Sequence, residues 1–213
     1  MTSQKDVFLS SEGDAWFSRN EAALRSRDLA QDPVCRRLAS LPALGRPLRV
    51  LEIGCGDGSR LQYLAATHGW EVSGIDPSEK AVSHARERGV RAHQSTADTL
   101  PFQAAAFDVV TFGFCLYLCD DGDLFRIALE ADRVLANPGW LLILDFESRA
   151  PLYKPYHHLA GITSRKMDYK SMFSWHPSYT LASHEKFHHQ THTWTDDPDQ
   201  WVSLACLRKF RAV

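Results

Sequence analysis

The stretch Val50-Leu51-Glu52-Ile53-Gly54-Cys55-Gly56-Asp57-Gly58-Ser59 constrains this chain more than any other. A short apolar run ends in closely spaced glycines, and a helix-forming segment follows to about His68. A strand that breaks into glycine and restarts as a helix opens a βα unit. Glycine permits a sharp turn and lets the backbone approach a ligand with no Cβ in the way. In a doubly wound sheet this turn lies at the carboxyl edge of the first strand, where ligands bind.

The segments that follow repeat the alternation. Strands are expected at Leu48 to Ile53, Glu71 to Ile75, Val90 to Gln94 (weakly), Phe107 to Phe112 and Trp140 to Phe146. Helices are expected from Pro77-Ser78 to about Arg88, and from Asp120-Asp121-Gly122-Asp123 to about Leu135. Asn137-Pro138-Gly139 reads as a turn, and helical pieces beginning at Asp14 and continuing over Glu21 to Leu29 precede the first strand. Strands alternating with helices imply right-handed crossovers and a parallel sheet covered on both faces. Tyr179 to His189 and Trp201 to Phe210 read as two further strands joined by a turn, an antiparallel finish to the sheet. The fold class expected is α/β: a Rossmann-like doubly wound sheet, mostly parallel, with an antiparallel C-terminal strand pair and helices on both faces.

Composition narrows the function classes. With 24 basic and 26 acidic residues and a formal charge of -2, the chain has no bulk field to hold nucleic acid. No apolar run approaches the roughly 20 residues of a membrane helix. The start MTSQKDVFLSSEGDAWF lacks the apolar core of a secretory signal, so a cytoplasmic location is expected. Five irregularly spaced cysteines read as reduced thiols, with no second pair to complete a zinc site. His184, His188 and His192 repeat every four residues, but they fall in a segment that reads as strand. No metal is expected.

The loop's charge bears on its ligand. A dinucleotide fingerprint places its third glycine where Ser59 stands, and Gly58 comes one residue earlier. Glu52 and Asp57 are unfavourable beside a pyrophosphate. They suit a ligand with a cationic end, such as S-adenosyl-L-methionine, which carries a sulfonium and an α-ammonium. Asp76, 24 residues after Glu52, ends the second strand, where a carboxylate accepts hydrogen bonds from both ribose hydroxyls. NAD sites use the same device, so Asp76 leaves both ligands open. Asp98, after the third strand, is placed to accept from an adenine amino group.

On VLEIGCGDG, GIDPS, STADTLPF, FDVVTFGFCLYLCD and RVLANPGWLLILDF, in this order and spacing, residues 48–147 resemble the class I S-adenosylmethionine-dependent methyltransferases, particularly the small-molecule type called type 11. It is this resemblance that decides against NAD. It implies that Glu52, Gly54, Cys55 and Gly56 support the methionine part of the cofactor. It implies that Asp76 with Pro77 holds ribose, that Ala97 and Asp98 flank adenine, and that Phe114 lines the cofactor. S-adenosyl-L-homocysteine is then the product. Residues 1–45 become a helical lid, 48–147 the cofactor-binding core, 148–177 an acceptor-specific insert and 178–213 the terminal strand pair of a single domain.

In the lid, Trp16 or Phe17 is expected to cover the cofactor and Arg19 to pair with its carboxylate. The insert combines Tyr153, Tyr156, Tyr169, Phe173 and Trp175 with Lys154, Arg165, Lys166 and Lys170. That mixture suits a small-molecule acceptor with an anionic group, an anionic metabolite, saccharide or secondary-metabolite intermediate. Tyr117, His157, Tyr169 and Lys170 are the acceptor-binding candidates. Methyl transfer needs a base only when the acceptor must lose a proton. Tyr117, Glu147, His157 and His158 stand near the carboxyl edge, and the pattern singles out none as catalytic. Two alternatives remain at this level: a cofactor-binding partner or regulatory module without transfer, and an NAD-linked oxidoreductase. Gly113-Phe114-Cys115-Leu116 stands where a nucleic-acid methyltransferase carries Asn/Asp-Pro-Pro-Tyr/Phe, which argues against a nucleic-acid acceptor.

Overall fold

The structure is a computed structural model that describes residues 3–211. Its centre is a seven-stranded sheet in the order β3-β2-β1-β4-β5-β9-β8. Strands β1 (Arg49–Ile53), β2 (Glu71–Asp76), β3 (Arg91–Gln94), β4 (Phe107–Gly113) and β5 (Leu135–Phe146) run parallel. Strands β8 (Tyr179–His188) and β9 (Trp201–Lys209) close the sheet antiparallel, β9 pairing with β5. This is the fold class expected from the sequence. The chain first winds outward from β1 to β3 and then crosses back to lay β4 on the other side of β1. Neighbouring crossovers therefore leave in opposite directions at β1 and β4, and a crevice opens at their carboxyl ends.

Two apolar layers hold the sheet. Leu51, Ile53, Val110, Phe112, Leu141 and Ile143 face helix α6 (Leu124–Val134). Val50, Val109, Leu142 and Leu144 face helices α3 (Pro33–Ala39), α4 (Ser59–His68) and α5 (Glu79–Glu87). Adjacent residues of one strand thus serve opposite faces, as the two-residue period of a strand requires.

Three segments differ from the sequence reading. The N-terminal rod begins at α1 (Gln4–Val7), continues through a wider π turn (Phe8–Glu12) and ends with α2 (Gly13–Arg25). Tertiary contacts set its start: the Gln4 side chain donates to the Leu118 carbonyl at 2.8 Å and accepts from Thr163 N at 2.7 Å. Strand β5 starts at Leu135 and carries the Asn137-Pro138-Gly139 segment within it, because Leu135 already pairs with Phe107. The irregular-looking stretch after residue 147 contains a hairpin, β6 (Leu152–Pro155) with β7 (Thr163–Lys166), and a short helix α7 (Ser171–Ser174). No helix among the described residues is long and apolar enough to cross a membrane.

Gly58 sets how closely α4 approaches α5. It caps α4 at φ +71°, and a Cβ there would meet the Ala85 Cβ at 2.8 Å. At Gly69, φ +67°, a Cβ would meet nothing within 4 Å. We expect Gly58→Val to lower unfolding free energy in urea by about 2–4 kcal/mol, overpacking added to left-handed strain. Gly69→Ala carries the strain alone and is expected to cost about 1 kcal/mol.

Candidate active site

The turn after β1 is fixed by backbone bonds before any ligand arrives. Gly54 N and Cys55 N both donate to the Ile75 carbonyl, at 2.9 and 3.0 Å. Asp76, at the end of β2, accepts from Gly56 N through Oδ2 and from Ser78 N through Oδ1, each at 2.9 Å. One carboxylate therefore joins the glycine turn to the β2–α5 turn. Burial, with no cation in ion-pair range among the described residues, pushes the Asp76 carboxyl up to about 6, although both backbone donors pull it down.

The two loop acids part company. Asp57 turns away and pairs with Arg88 at 2.9 Å, outside the crevice. Glu52 is fully buried and gives Oε1 to Arg60, whose guanidinium also grips Asp32 at 3.0 Å. Asp32 in turn caps α3 through Val34 N and Cys35 N. Glu52 Oε2 has no hydrogen-bond partner, and Glu52 lines the crevice. Burial raises the Glu52 carboxyl above its ordinary value, although the charges of Arg60 and Arg27 pull it down.

Around the turn lies a first cavity of about 120 Å³, bounded by Glu52, Gly56, Asp76, Ala97, Asp98 and Phe114. Gly54, Cys55 and Pro77 line it as well. Its far end is closed by the N-terminal rod. Lys5 Nζ binds Asp98 at 2.7 Å and Asp123 at 3.1 Å, and Phe8 lies beside it. Burial opposes ionisation of Asp98, but hydrogen bonds from Lys5 and Thr96 outweigh it and hold the carboxyl below its ordinary value. Ligand cavities usually measure about 300–1,000 Å³, and Lys5 and Phe8 take up part of the space at the Asp98 end.

A second cavity of about 770 Å³ adjoins the first. Trp16, Leu24, Arg27 and Phe114 line both. Phe114 holds a left-handed φ of 55° just past β4, a strained conformation that presents its ring between the two spaces. Phe114, Phe146 and His189 form a cluster, with ring centroids 5.3, 5.1 and 6.0 Å apart. Trp16 Nε1 donates to the Tyr117 hydroxyl at 3.1 Å, tying lid to floor.

Of the residues read from the sequence, those of the glycine turn, Asp76, Pro77, Ala97, Asp98, Phe114 and Trp16 meet around the first cavity. Tyr117, His157 and His158 line the second. Others stand elsewhere. Phe17 packs with Leu24 and Ala81 behind the lid. Arg19 is engaged by Glu12 and by the Tyr156 hydroxyl, and lines neither cavity. Tyr169 is buried in the core with its hydroxyl on the Arg165 carbonyl, and Lys170 pairs with Asp168 at 2.6 Å. Glu147 is bound by His184 and Lys186, at 2.8 and 2.6 Å; these partners overcome its burial and hold its carboxyl down to about 2. His188 Nδ1 accepts from the following turn, and His192 packs on Phe187. Among the described residues no group of three potential ligands stands close enough to hold a metal ion.

Arg27 and His189 are the residues that sequence reading missed, and Lys166 was read only as one of several cations of the insert. Arg27 looked like one surface cation among many beyond the lid motif, and His189 one of seven histidines after residue 156. Only the folded chain shows that they border the cavities.

The residues around the first cavity fit the cofactor expected from the sequence. The orphaned Glu52 Oε2 is an acceptor for an ammonium, and Asp76 keeps lone pairs for a diol. At Gly56 a Cβ would find only the Leu24 side chain, at 3.5 Å, so the missing Cβ leaves space there. Gly54 serves packing instead, since its Cβ would meet Cys115 at 2.8 Å.

Residues 50–139 match a family model described as a methyltransferase domain. The chain is 34% identical over 118 residues to 27-O-demethylrifamycin SV methyltransferase of Amycolatopsis mediterranei, a match covering 52% of this chain and 43% of that one. It is 43% identical over 86 residues to the ubiquinone biosynthesis O-methyltransferase of Agrobacterium fabrum, covering 36% and 34%. The chain thus spans less than half the length of these curated relatives. In fold it is similar to 1,6-didemethyltoxoflavin-N1-methyltransferase of Burkholderia thailandensis, solved with its substrate and S-adenosylhomocysteine. The TM-score is 0.73 at 18% identity, over 97% of this chain and 89% of that one.

Two measurements check the first cavity. The Asp76 carboxyl titrates near 6 when free. Hydroxyl donors from a ribose stabilise the anion, so binding is strongest above that pH and releases a proton below it. The calorimetric dissociation constant for S-adenosylhomocysteine is expected to rise about tenfold from pH 7.5 to 5, and Asp76→Asn is expected to remove that slope. Gly56→Val, which fills the open side of the turn and adds left-handed strain at φ +52°, is expected to abolish binding while the circular dichroism spectrum stays native.

Proposed function

We propose that this chain, a class I S-adenosylmethionine-dependent methyltransferase by its core, transfers the methyl group to a small-molecule acceptor held in the second cavity. The observation that carries this reading is the shared wall. Trp16, Leu24, Arg27, Arg60 and Phe114 border both spaces, so a group carried by a ligand in the first stands beside the second.

When bound, the cofactor supplies an activated methyl group on a sulfonium, which makes an in-line displacement the hard step already prepared. The protein's part is alignment and exclusion of water. Asp76 takes the ribose diol, and the residues of the glycine turn take the amino-acid tail, with Glu52 Oε2 facing its ammonium. Arg27 replaces Arg19 as the cation for the carboxylate: it stands at the junction and has no ion-pair partner among the described residues. Ala97 and Asp98 border the adenine end once Lys5 withdraws.

The second cavity sets the acceptor's scale. About 770 Å³ lined by Trp16, Phe114, Tyr117 and Phe146 suits a small organic molecule and not a polymer groove. The relatives act on small molecules according to their names, which supports the same class. His157 and Tyr117 are the sequence-expected contacts that stay in this assignment.

Arg27→Ala is expected to weaken S-adenosylhomocysteine binding by about 1–2 kcal/mol through loss of a charge-assisted pair. Adenosine, which lacks the amino-acid tail, is expected to bind the variant and the parent equally. Calorimetry with both ligands checks the assignment, and equal losses for both would place Arg27 elsewhere. Transfer of radiolabelled methyl from the cofactor to a pool of small hydroxylated or amino acids tests the activity itself; binding without transfer to any acceptor would leave only a cofactor-binding module.

A further inference from the structure

The second cavity carries a specific chemistry along the wall where β8 ends. His189 follows β8 and lies against Phe114 and Phe146, with centroids at 6.0 and 5.1 Å. Its ring nitrogens make no hydrogen bond among the described residues. Phe114 borders the cofactor cavity, so a molecule resting on Phe114 and Phe146 touches both the methyl donor's side and the imidazole. Lys166, on β7, places its Nζ 5.1 Å from the Phe146 ring centroid. That ammonium donates to the Asp199 carbonyl at 2.5 Å and has no carboxylate in ion-pair range among the described residues. Of the other cations of the cavity, Arg165 holds Asp121 and Arg60 holds Asp32 and Glu52, while Arg27 stands at the junction with the first cavity and is assigned above to the cofactor's carboxylate.

Resting on the methyltransferase reading above, we propose that His189 is the general base for a hydroxyl acceptor on a flat ring, and that Lys166 binds an acidic group on the same ring. In the step, the acceptor O–H bond breaks and its proton passes to a His189 ring nitrogen. The oxygen forms a bond to the methyl carbon of the sulfonium donor. The carbon–sulfur bond breaks with its electron pair kept by sulfur, which leaves a neutral thioether. The imidazolium then returns its proton to solvent at the open side of the cavity.

The surroundings keep His189 ready to accept. Partial burial, Lys166 on β7, and His188 and His192 on its own turn all lower its affinity for a proton. Phe114 and Phe146, from the ends of β4 and β5, present no charge. Lys166 itself is held below its ordinary value by burial and Lys154, while Asp197 and Asp199 oppose this.

The test uses the whole chain loaded with S-adenosylhomocysteine, and 3,4-dihydroxybenzoate and uncharged 1,2-dihydroxybenzene as probes. The His189 C2 proton, assigned by its loss in His189→Gln, is expected to titrate below pH 6.5 and to shift when the acid binds. The acid is expected to bind at least tenfold more tightly than the uncharged ring, and Lys166→Met to erase that preference. With the methyl donor present, single-turnover methylation of the acid is expected to rise with pH through the His189 titration and level off. His189→Gln is expected to be about 100-fold slower with a flat profile. Equal affinity for the two probes, an unmoved His189 signal, or a pH profile kept in His189→Gln would overturn the proposal. Calorimetric binding of S-adenosylhomocysteine separates the two levels. If it binds and the His189 results fail, only the acceptor assignment falls; if it does not bind, the methyltransferase reading falls first.

Discussion

The carboxylate of Asp76 is the joint on which the crevice depends. Its two oxygens each take a backbone N–H, Gly56 from the first βα turn and Ser78 from the second. Those turns leave neighbouring strands that the sheet and the Gly54 and Cys55 bonds to the Ile75 carbonyl already hold side by side, and Asp76 extends that hold to Gly56 and Ser78. A neutral side chain of the same size accepts through one oxygen only, so it holds one turn and releases the other. The joint leaves Asp76 without a neutralising partner, in contrast to Asp108, which Arg46 and Arg49 enclose at the opposite, amino end of β4. Of the acids that line the first cavity, Glu52 meets Arg60 and Asp98 meets Lys5, and Asp76 has no cation in ion-pair range among the described residues.

Arg60 satisfies one of the Glu52 oxygens and Asp32 shares that guanidinium. A buried acid with no partner would take up a proton, and one fully paired would have nothing left for a ligand. Half-pairing leaves one oxygen of a cavity-lining carboxylate without a partner, and the proposed ligand's ammonium would complete the network there. Arg60 comes from α4, directly after the glycine turn, so the helix that the turn launches also supplies the counter-charge for the strand that precedes it.

How much of this was legible in the sequence follows from where each signal sits. The βα core is local: an apolar run, a glycine turn and a helix occupy adjacent residues, so Gly54, Gly56 and Asp76 are found by spacing. The terminal strand pair also shows, because Tyr179 to His188 and Trp201 to Lys209 are long and bounded by turn residues. The acceptor side is not local. His189 meets Phe114 and Phe146 across 75 and 43 positions of chain, and no periodicity records such a meeting. Arg19 misled for a related reason. It stands in the expected helix one turn from Trp16, but the choice between ligand and Glu12 is made by Tyr156, which arrives from the insert. The hairpin β6–β7 escaped because its short strands carry charged and polar residues where a core-facing strand would alternate.

The lid and the insert act as one piece of structure. Gln4 reaches from α1 to Thr163 on β7, and Glu12 with Arg19 reaches to Tyr156 in the turn between β6 and β7. Trp16, between these anchors, lines both cavities and donates to Tyr117 on the floor of the second. Lys5, at the tip, bridges Asp98 and Asp123 where an adenine is expected. An outward swing of the tip must break the ion pairs of Lys5 and strain the Gln4 bonds to the hairpin. A movement of the tip is therefore transmitted through Gln4 to the hairpin whose residues Ser164, Arg165 and Lys166 line the second cavity. Under the proposed assignment, a cofactor that replaces Lys5 at Asp98 would sit against Trp16, and Trp16 is also a wall of the second cavity, so the proposed donor would form part of the surface that faces the proposed acceptor.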